Sequence, residues 1–139
     1  MRIEIRQVGP GDEDIFQRVA DGIFDQPIDP GRLAAYLADP SHIMVVALAE
    51  GEVVGQVAAV AHMHPDKPTE LYVDEVAVTP ALRRQGIARR MLAGMLALGR
   101  DLGCSEAWVG TETDNGPARA LYTSLGAPSA PFILYLFKL

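Results

Sequence analysis

The hydrophobic positions of this chain switch between two periods. Ile3 and Ile5 alternate with Arg2, Glu4 and Arg6, a period of two that predicts a strand over 2–8. Gly9-Pro10-Gly11 turns the chain. Asp12 is placed to cap a helix carrying Ile15, Phe16 and Val19 on its apolar side. After an irregular stretch, a short helix beginning near Pro30 carries Leu33, Ala34 and Leu37 and stops at Asp39-Pro40. The unbroken apolar run 43–49 predicts a buried strand, and Glu50-Gly51-Glu52 a tight turn into the next strand, 53–61. A loop over 62–68 leads to a strand over 70–78. Ala88, Met91, Leu92, Met95 and Leu96 then repeat at helical spacing, with Arg89, Arg90 and Arg100 outside the stripe and Gly103 as the stop. A strand over 106–111, a helix over 115–125 ended by Gly126, and a final apolar strand over 132–139 complete the order β-αα-β-β-β-α-β-α-β. This is the pattern of one α/β (α+β) domain over 1–139.

A chain of 139 residues can bury a core without metal or disulfide, and its one cysteine, Cys104, allows no internal disulfide. Cys104 suits a small buried apolar role. No apolar run reaches the length of a membrane span, and the alternating start reads as strand rather than signal peptide, so a soluble cytoplasmic protein is expected. The net charge of −6 argues against general nucleic-acid binding. Its distribution adds more: residues 1–82 carry 5 basic and 14 acidic side chains, and residues 83–139 carry 7 basic and 4 acidic. A polyanionic cofactor would suit the second part. The acidic first part would suit a cationic partner, or simply keep the surface soluble.

Chemistry enters at Arg83-Arg84-Gln85-Gly86-Ile87-Ala88, between a predicted strand and a predicted helix. N–H groups at a helix start lack intrahelical partners, and the aligned peptide dipoles favour an anion there. Gly86 lets the backbone approach a ligand, Ala88 keeps the first turn thin, and Arg83 and Arg84 can make charge-assisted bonds to phosphate.

That spacing, Arg83-x-x-Gly86-x-Ala88 in this setting, resembles the pyrophosphate-binding motif of the GNAT superfamily, the acyl-CoA-dependent N-acetyltransferases. The element order resembles that fold from end to end. The resemblance implies a mixed central sheet splayed between strands 4 and 5, flanked by helices, with acetyl-CoA as co-substrate and no metal. It puts the pantetheine arm beside the backbone of Val76 and Val78, and the pyrophosphate at Arg83, Arg84, Gln85, Gly86, Ile87 and Ala88.

A second segment, Asn115-Gly116-Pro117-Ala118-Arg119-Ala120-Leu121-Tyr122, is similar to the family's Asn-x-x-Ala-x-x-x-Tyr pattern. Asn115 is a good helix cap, and Pro117 fits a first turn. Positions 115, 118, 119 and 122 share one helical face. The resemblance implies that Asn115 and Ala118 contact the pantetheine and that Tyr122 protonates the leaving thiolate. A phenol, with a reference pKa of about 10, stays protonated at neutral pH and can donate.

Transfer to an amine needs a base. Asp74 and Glu75 are adjacent on the predicted strand, and alternation brings only one of them to a cleft. The segment 71–88 and Ala120 to Gly126 are similar to the aminoglycoside 3-N-acetyltransferases, which implies that Glu75 is the base or ammonium binder. Either carboxylate could equally be a surface charge. Asp21, Asp25 and Asp29 lie in the segment that walls the acceptor site in this fold, where they would attract a cation or remain solvated. His62-Met63-His64, two histidines with no third ligand signalled nearby, reads as an exposed loop rather than a metal centre. Trp108 is expected to pack on the sheet.

The resulting expectation is acetyl transfer from acetyl-CoA, by direct attack in a ternary complex, to a primary amine of a small cationic acceptor such as an aminoglycoside. Alternatives are a protein or peptide N-acetyltransferase and a non-catalytic acyl-CoA sensor. The apolar segment 132–137 would suit the edge of a homodimer.

Overall fold

In the computed structural model, which describes residues 1–139, the strands lie side by side in the order in which the chain makes them. The backbone groups into two units, Met1–Val109 and Gly110–Leu139.

The first unit holds the sheet. Strands β1 (Ile3–Val8), β2 (His42–Ala49), β3 (Glu52–His62) and β4 (Glu70–Val78) pair antiparallel, and β5 (Ala107–Val109) pairs parallel to β4. A parallel neighbour needs a crossover, and helix α2 (Ile87–Asp101) supplies it. Ile87, Met91, Leu92 and Met95 are the buried side chains of α2, the predicted stripe shifted by one position at its start. Helix α1 (Pro30–Ala38) and the 3-10 turn Glu13–Gln17 supply Leu37 and Phe16 to a second apolar cluster with Ile23, Met44, Val46, Leu48 and Ala58. β2 is therefore covered on both sides, and its unbroken apolar run is buried from Ile43 to Ala49.

Two bulges shape the sheet. Ala47 pairs with Gly55 and Leu48 with Val53, so Val54 is the extra residue. Ala58 pairs with Glu75 and Ala59 with Val73, so Asp74 has no partner of its own. The β4–β5 ladder covers only Leu71, Tyr72 and Val73. Beyond it, residues 74–78 have no strand on their second side, and this is the expected splay. Tyr72 and Trp108, opposite each other in that short ladder, stack with ring centroids 4.2 Å apart.

Three expectations need correction. Asp12 caps nothing: its carboxylate turns back to accept from the Gly9 N–H at 2.8 Å and from Arg6 at 3.0 Å. The predicted first helix is accordingly only the five-residue 3-10 turn. The predicted strand 106–111 is confined to Ala107–Val109. The predicted final strand over 132–139 is absent. A strand is stabilised by its ladder, and the second unit contains no strand for this segment to join. Its side chains from Phe132 to Phe137 are 66 to 82% exposed.

The second unit is built on helix α3 (Gly116–Ser124). Asn115 caps it by accepting from the Ala118 N–H at 3.2 Å, and Pro117 lies in the first turn, as its sequence implies. Gly126, at φ 86°, ends it, with its N–H donating to Thr123.

The approach of α2 to β3 depends on Gly55. A Cβ there would lie 2.8 Å from Met91 Cε and 3.1 Å from the Ala77 carbonyl oxygen. One at Gly94, on the same helix, would meet only Ile5 Cγ2 at an ordinary 3.8 Å. Gly55→Val should destabilise the fold by about 1–3 kcal/mol in denaturant unfolding. Gly94→Ala should stabilise it by roughly 0.5–1 kcal/mol, since it removes a helical glycine without a clash.

Candidate active site

β4 leads into a loop, Thr79 to Gly86, and then into α2. Thr79 is buried, and its N–H donates to the Val54 carbonyl at 2.8 Å, toward β3. The Val78 carbonyl faces the other way and accepts from Arg83 Nε at 3.2 Å. Backbone groups alternate in direction along a strand, so Val76 and Val78 turn theirs to the open edge.

The helix start has no side-chain cap. Gly86 is left-handed at φ 77°, and the first intrahelical bond is Arg90 N–H to Gly86 O. Arg84 also adopts a positive φ, 64°, a conformation that costs a non-glycine residue about 1–2 kcal/mol. Arg84 and Gly86, separated by Gln85, thus bring two left-handed residues into the turn that enters the helix. Arg84, Gln85 and Gly86 are exposed, and nothing lies within 4 Å of where a Gly86 Cβ would sit.

One step back along β4 stand the carboxylates. The bulge at Asp74 breaks strict alternation, so the two carboxylates are not held to opposite faces. Burial pushes the Tyr36 phenol up to about 12, and the charges of Asp74 and Glu75 both add to the shift. Asp74 is itself raised above the ordinary carboxylate range by burial, against opposing pulls from its own backbone N–H and from His42. Its negative charge therefore arrives at higher pH than for a free aspartate. His42 also packs against Tyr36, with ring centroids 5.1 Å apart.

Gln56 organises this cluster. It is 1% exposed, and its Nε2 donates to Glu75 Oε2 at 2.8 Å and to the Ile23 carbonyl at 3.4 Å. Glu75 is thus tied to the loop whose exposed Asp21 and Asp25 flank Ile23. Gln56 Oε1 and the Tyr36 hydroxyl are buried with no hydrogen-bond partner. Two orphaned polar atoms beside two carboxylates suit a polar, cationic guest, because leaving such atoms unmet costs roughly 1–3 kcal/mol each.

The first unit therefore brings together Glu75, Asp74 and the 21–25 loop, and carries Val76, Val78 and residues 83–88 along the same strand and turn. Asn115, Ala118 and Tyr122 belong to the second unit. Asn115 Oδ1 is used in capping, which leaves its amide N–H groups for a ligand. Burial raises the Tyr122 phenol above its ordinary value, so it is a protonated donor at neutral pH. Cys104 is free and half-buried. Sequence reasoning missed Gln56, Tyr36 and His42. Gln56 had a signal: it is the lone polar residue inside the apolar run 53–61. Tyr36 and His42 had none.

Against known proteins, residues 13–127 match the model of the Acetyltransferase (GNAT) family. The chain is 36% identical over 96 residues to N-acetyltransferase 8 of Homo sapiens, covering 66% of this chain and 41% of that protein. It thus spans well under half the length of that relative. It is 24% identical over 115 residues to Aminoglycoside N(6')-acetyltransferase type 1 of Salmonella typhimurium, covering 75% of this chain and 79% of the other. The structure of AAC(6')-Iy in complex with the bisubstrate analogue CoA-S-monomethyl-acetylneamine superposes with a TM-score of 0.80 at 20% identity, over 100% of this chain and 99% of that one. Such identity establishes the fold alone. Both aminoglycoside enzymes are of the 6' type, whereas the local sequence resemblance pointed to the 3-N type. With the family match running through the open strand, the glycine-entered helix and α3, this chain belongs to the GNAT acetyltransferase family.

Proposed function

We propose that this chain is an acetyl-CoA-dependent N-acetyltransferase whose acceptor is a primary amine of a small cationic molecule, an aminoglycoside first among the candidates. The observation that carries the transfer is the open edge of β4 running directly into an uncapped, glycine-entered helix. A peptide-like pantetheine can lie along Val76 and Val78 as an added strand, and its pyrophosphate can take the N–H groups of the helix start. Arg83, already held on the Val78 carbonyl, and Arg84 would add charge to that end.

The acidic cluster supports the acceptor class. Asp74, Glu75, Tyr36 and Gln56 offer negative charge and unused polar atoms to an ammonium, with Asp21 and Asp25 on the adjoining loop. Relatives named for aminoglycosides point the same way. In this reading Glu75, held by Gln56, removes a proton from the ammonium directly or through water. The freed amine attacks the thioester carbonyl, the C–S bond breaks, Tyr122 gives the departing sulfur its proton, and the surplus proton on nitrogen returns through water to the Tyr122 phenolate. Orientation of the two substrates supplies much of the rate gain.

Thiol release from acetyl-CoA, followed across a panel of aminoglycosides, polyamines and peptide amines, tests the assignment. Release is expected with at least one polycationic small molecule and not with the peptides. Coenzyme binding without release for any amine would refute the transferase reading. In a second test, Tyr122→Phe should lower kcat by about 100-fold or more while leaving the KM for acetyl-CoA near the unmodified value. Unchanged turnover would remove Tyr122 as the acid.

A further inference from the structure

The far end of the β3–β4 hairpin carries a second cluster of chemistry, outside the transfer site. His62 closes β3 and Glu70 opens β4, and the two are direct partners in the antiparallel register. His64 lies two residues beyond His62. The rings of His62 and His64 pack with centroids 4.4 Å apart. His64 Nε2 is 3.3 Å from Glu70 Oε2. One ligand atom from each of His62, His64 and Glu70 can be chosen so that all three lie within 4.8 Å of one another. The spacing in sequence offered two histidines and no third ligand; the hairpin register supplies it.

We propose that His62, His64 and Glu70 bind a divalent transition-metal ion, with zinc the representative. Two imidazoles and one carboxylate are a ligand set that zinc takes in three-residue sites, where a water fills the fourth position. Ligand bonds of about 2.0–2.2 Å set at tetrahedral angles place ligand atoms roughly 3.4 Å apart. The His64–Glu70 separation of 3.3 Å already has about that value, and a His62 ring nitrogen lies within 4.8 Å of both other ligand atoms. At 3.3 Å the same pair is long for a hydrogen bond. Lys67 Nζ lies 3.9 Å from the other carboxylate oxygen, Oε1, so Oε2 is the oxygen turned to the histidine. Pro65 and Pro68 stiffen the connecting loop, which reduces the ordering that the ion must impose. His62 is exposed, so the ion can reach the site from solvent.

The site lies five residues up β4 from Glu75, about 17 Å along the strand. Its ion takes no part in acetyl transfer and instead clamps the hairpin end. Imidazole ligands select zinc, cobalt, nickel or copper over magnesium and calcium.

The test uses the full chain, stripped of metal with a chelator and titrated with ZnCl2 by calorimetry, with CoCl2 as a spectroscopic probe. One zinc per chain is expected, with a rise in melting temperature and a tetrahedral Co2+ absorption spectrum, while MgCl2 gives neither. NMR signals of the His62 and His64 imidazoles should shift, and those of His42 should not; this readout needs no variant. Glu70→Gln should weaken zinc binding by roughly 10- to 100-fold, and His62→Ala/His64→Ala should abolish it. No zinc binding to the unmodified chain at millimolar metal would overturn the proposal. So would undiminished binding in the double variant, or shifts confined to His42.

Discussion

Everything at the candidate active site depends on one unpaired strand edge. β5 is three residues long and meets β4 only at Leu71, Tyr72 and Val73, so from Asp74 to Val78 the edge of β4 turned away from β3 has no partner strand. Unpaired strand edges are liabilities that proteins usually cover or blunt. Here no strand pairs with the edge; Arg83 meets the Val78 carbonyl, and the remaining backbone groups need water or a ligand to satisfy them. The same strand then delivers the chain to a helix start with no side-chain cap. Residues 74–88 thus hold, in order, the carboxylates, the unpaired edge and the uncapped helix start.

The bulge at Asp74 is the device that lets acid and edge coexist. In a regular strand, neighbouring carboxylates would point to opposite faces and one would be lost to the site. The extra residue lets both act on Tyr36. Gln56 makes this arrangement specific: it is buried in the middle of an apolar strand and fastens Glu75 to the Asp21–Asp25 loop through the Ile23 carbonyl. The charge asymmetry along the chain has a local counterpart. The acidic groups at Asp74 and Glu75 stand where the split begins, and the arginines at 83 and 84 follow it.

Much of this was legible in the sequence, for reasons that can be named. β2 and α2 have strong single-period patterns, and Gly86 and Asn115 sit where their backbone chemistry is wanted, so the sheet, the crossover helix and both motif-bearing turns could be read directly. Asp12 misled because a capping residue can spend its carboxylate upstream, on Gly9 and Arg6. The 132–139 segment misled because apolar content gives strand propensity but cannot supply a partner edge. The bulge was invisible because register is a property of two strands, and for the same reason the meeting of Glu70 with His62 and His64 could not be seen along one. Tyr36 and His42 join the acidic cluster only through the packing of α1 on the sheet.

Amide hydrogen exchange at Val76 and Val78, measured with and without coenzyme A, tests the open-edge account most directly. These amides should exchange quickly in the free protein and become protected when the coenzyme binds, together with Ile87 and Ala88 at the helix start. Coenzyme binding that leaves exchange at Val76 and Val78 unchanged, or amides already protected in its absence, would contradict it.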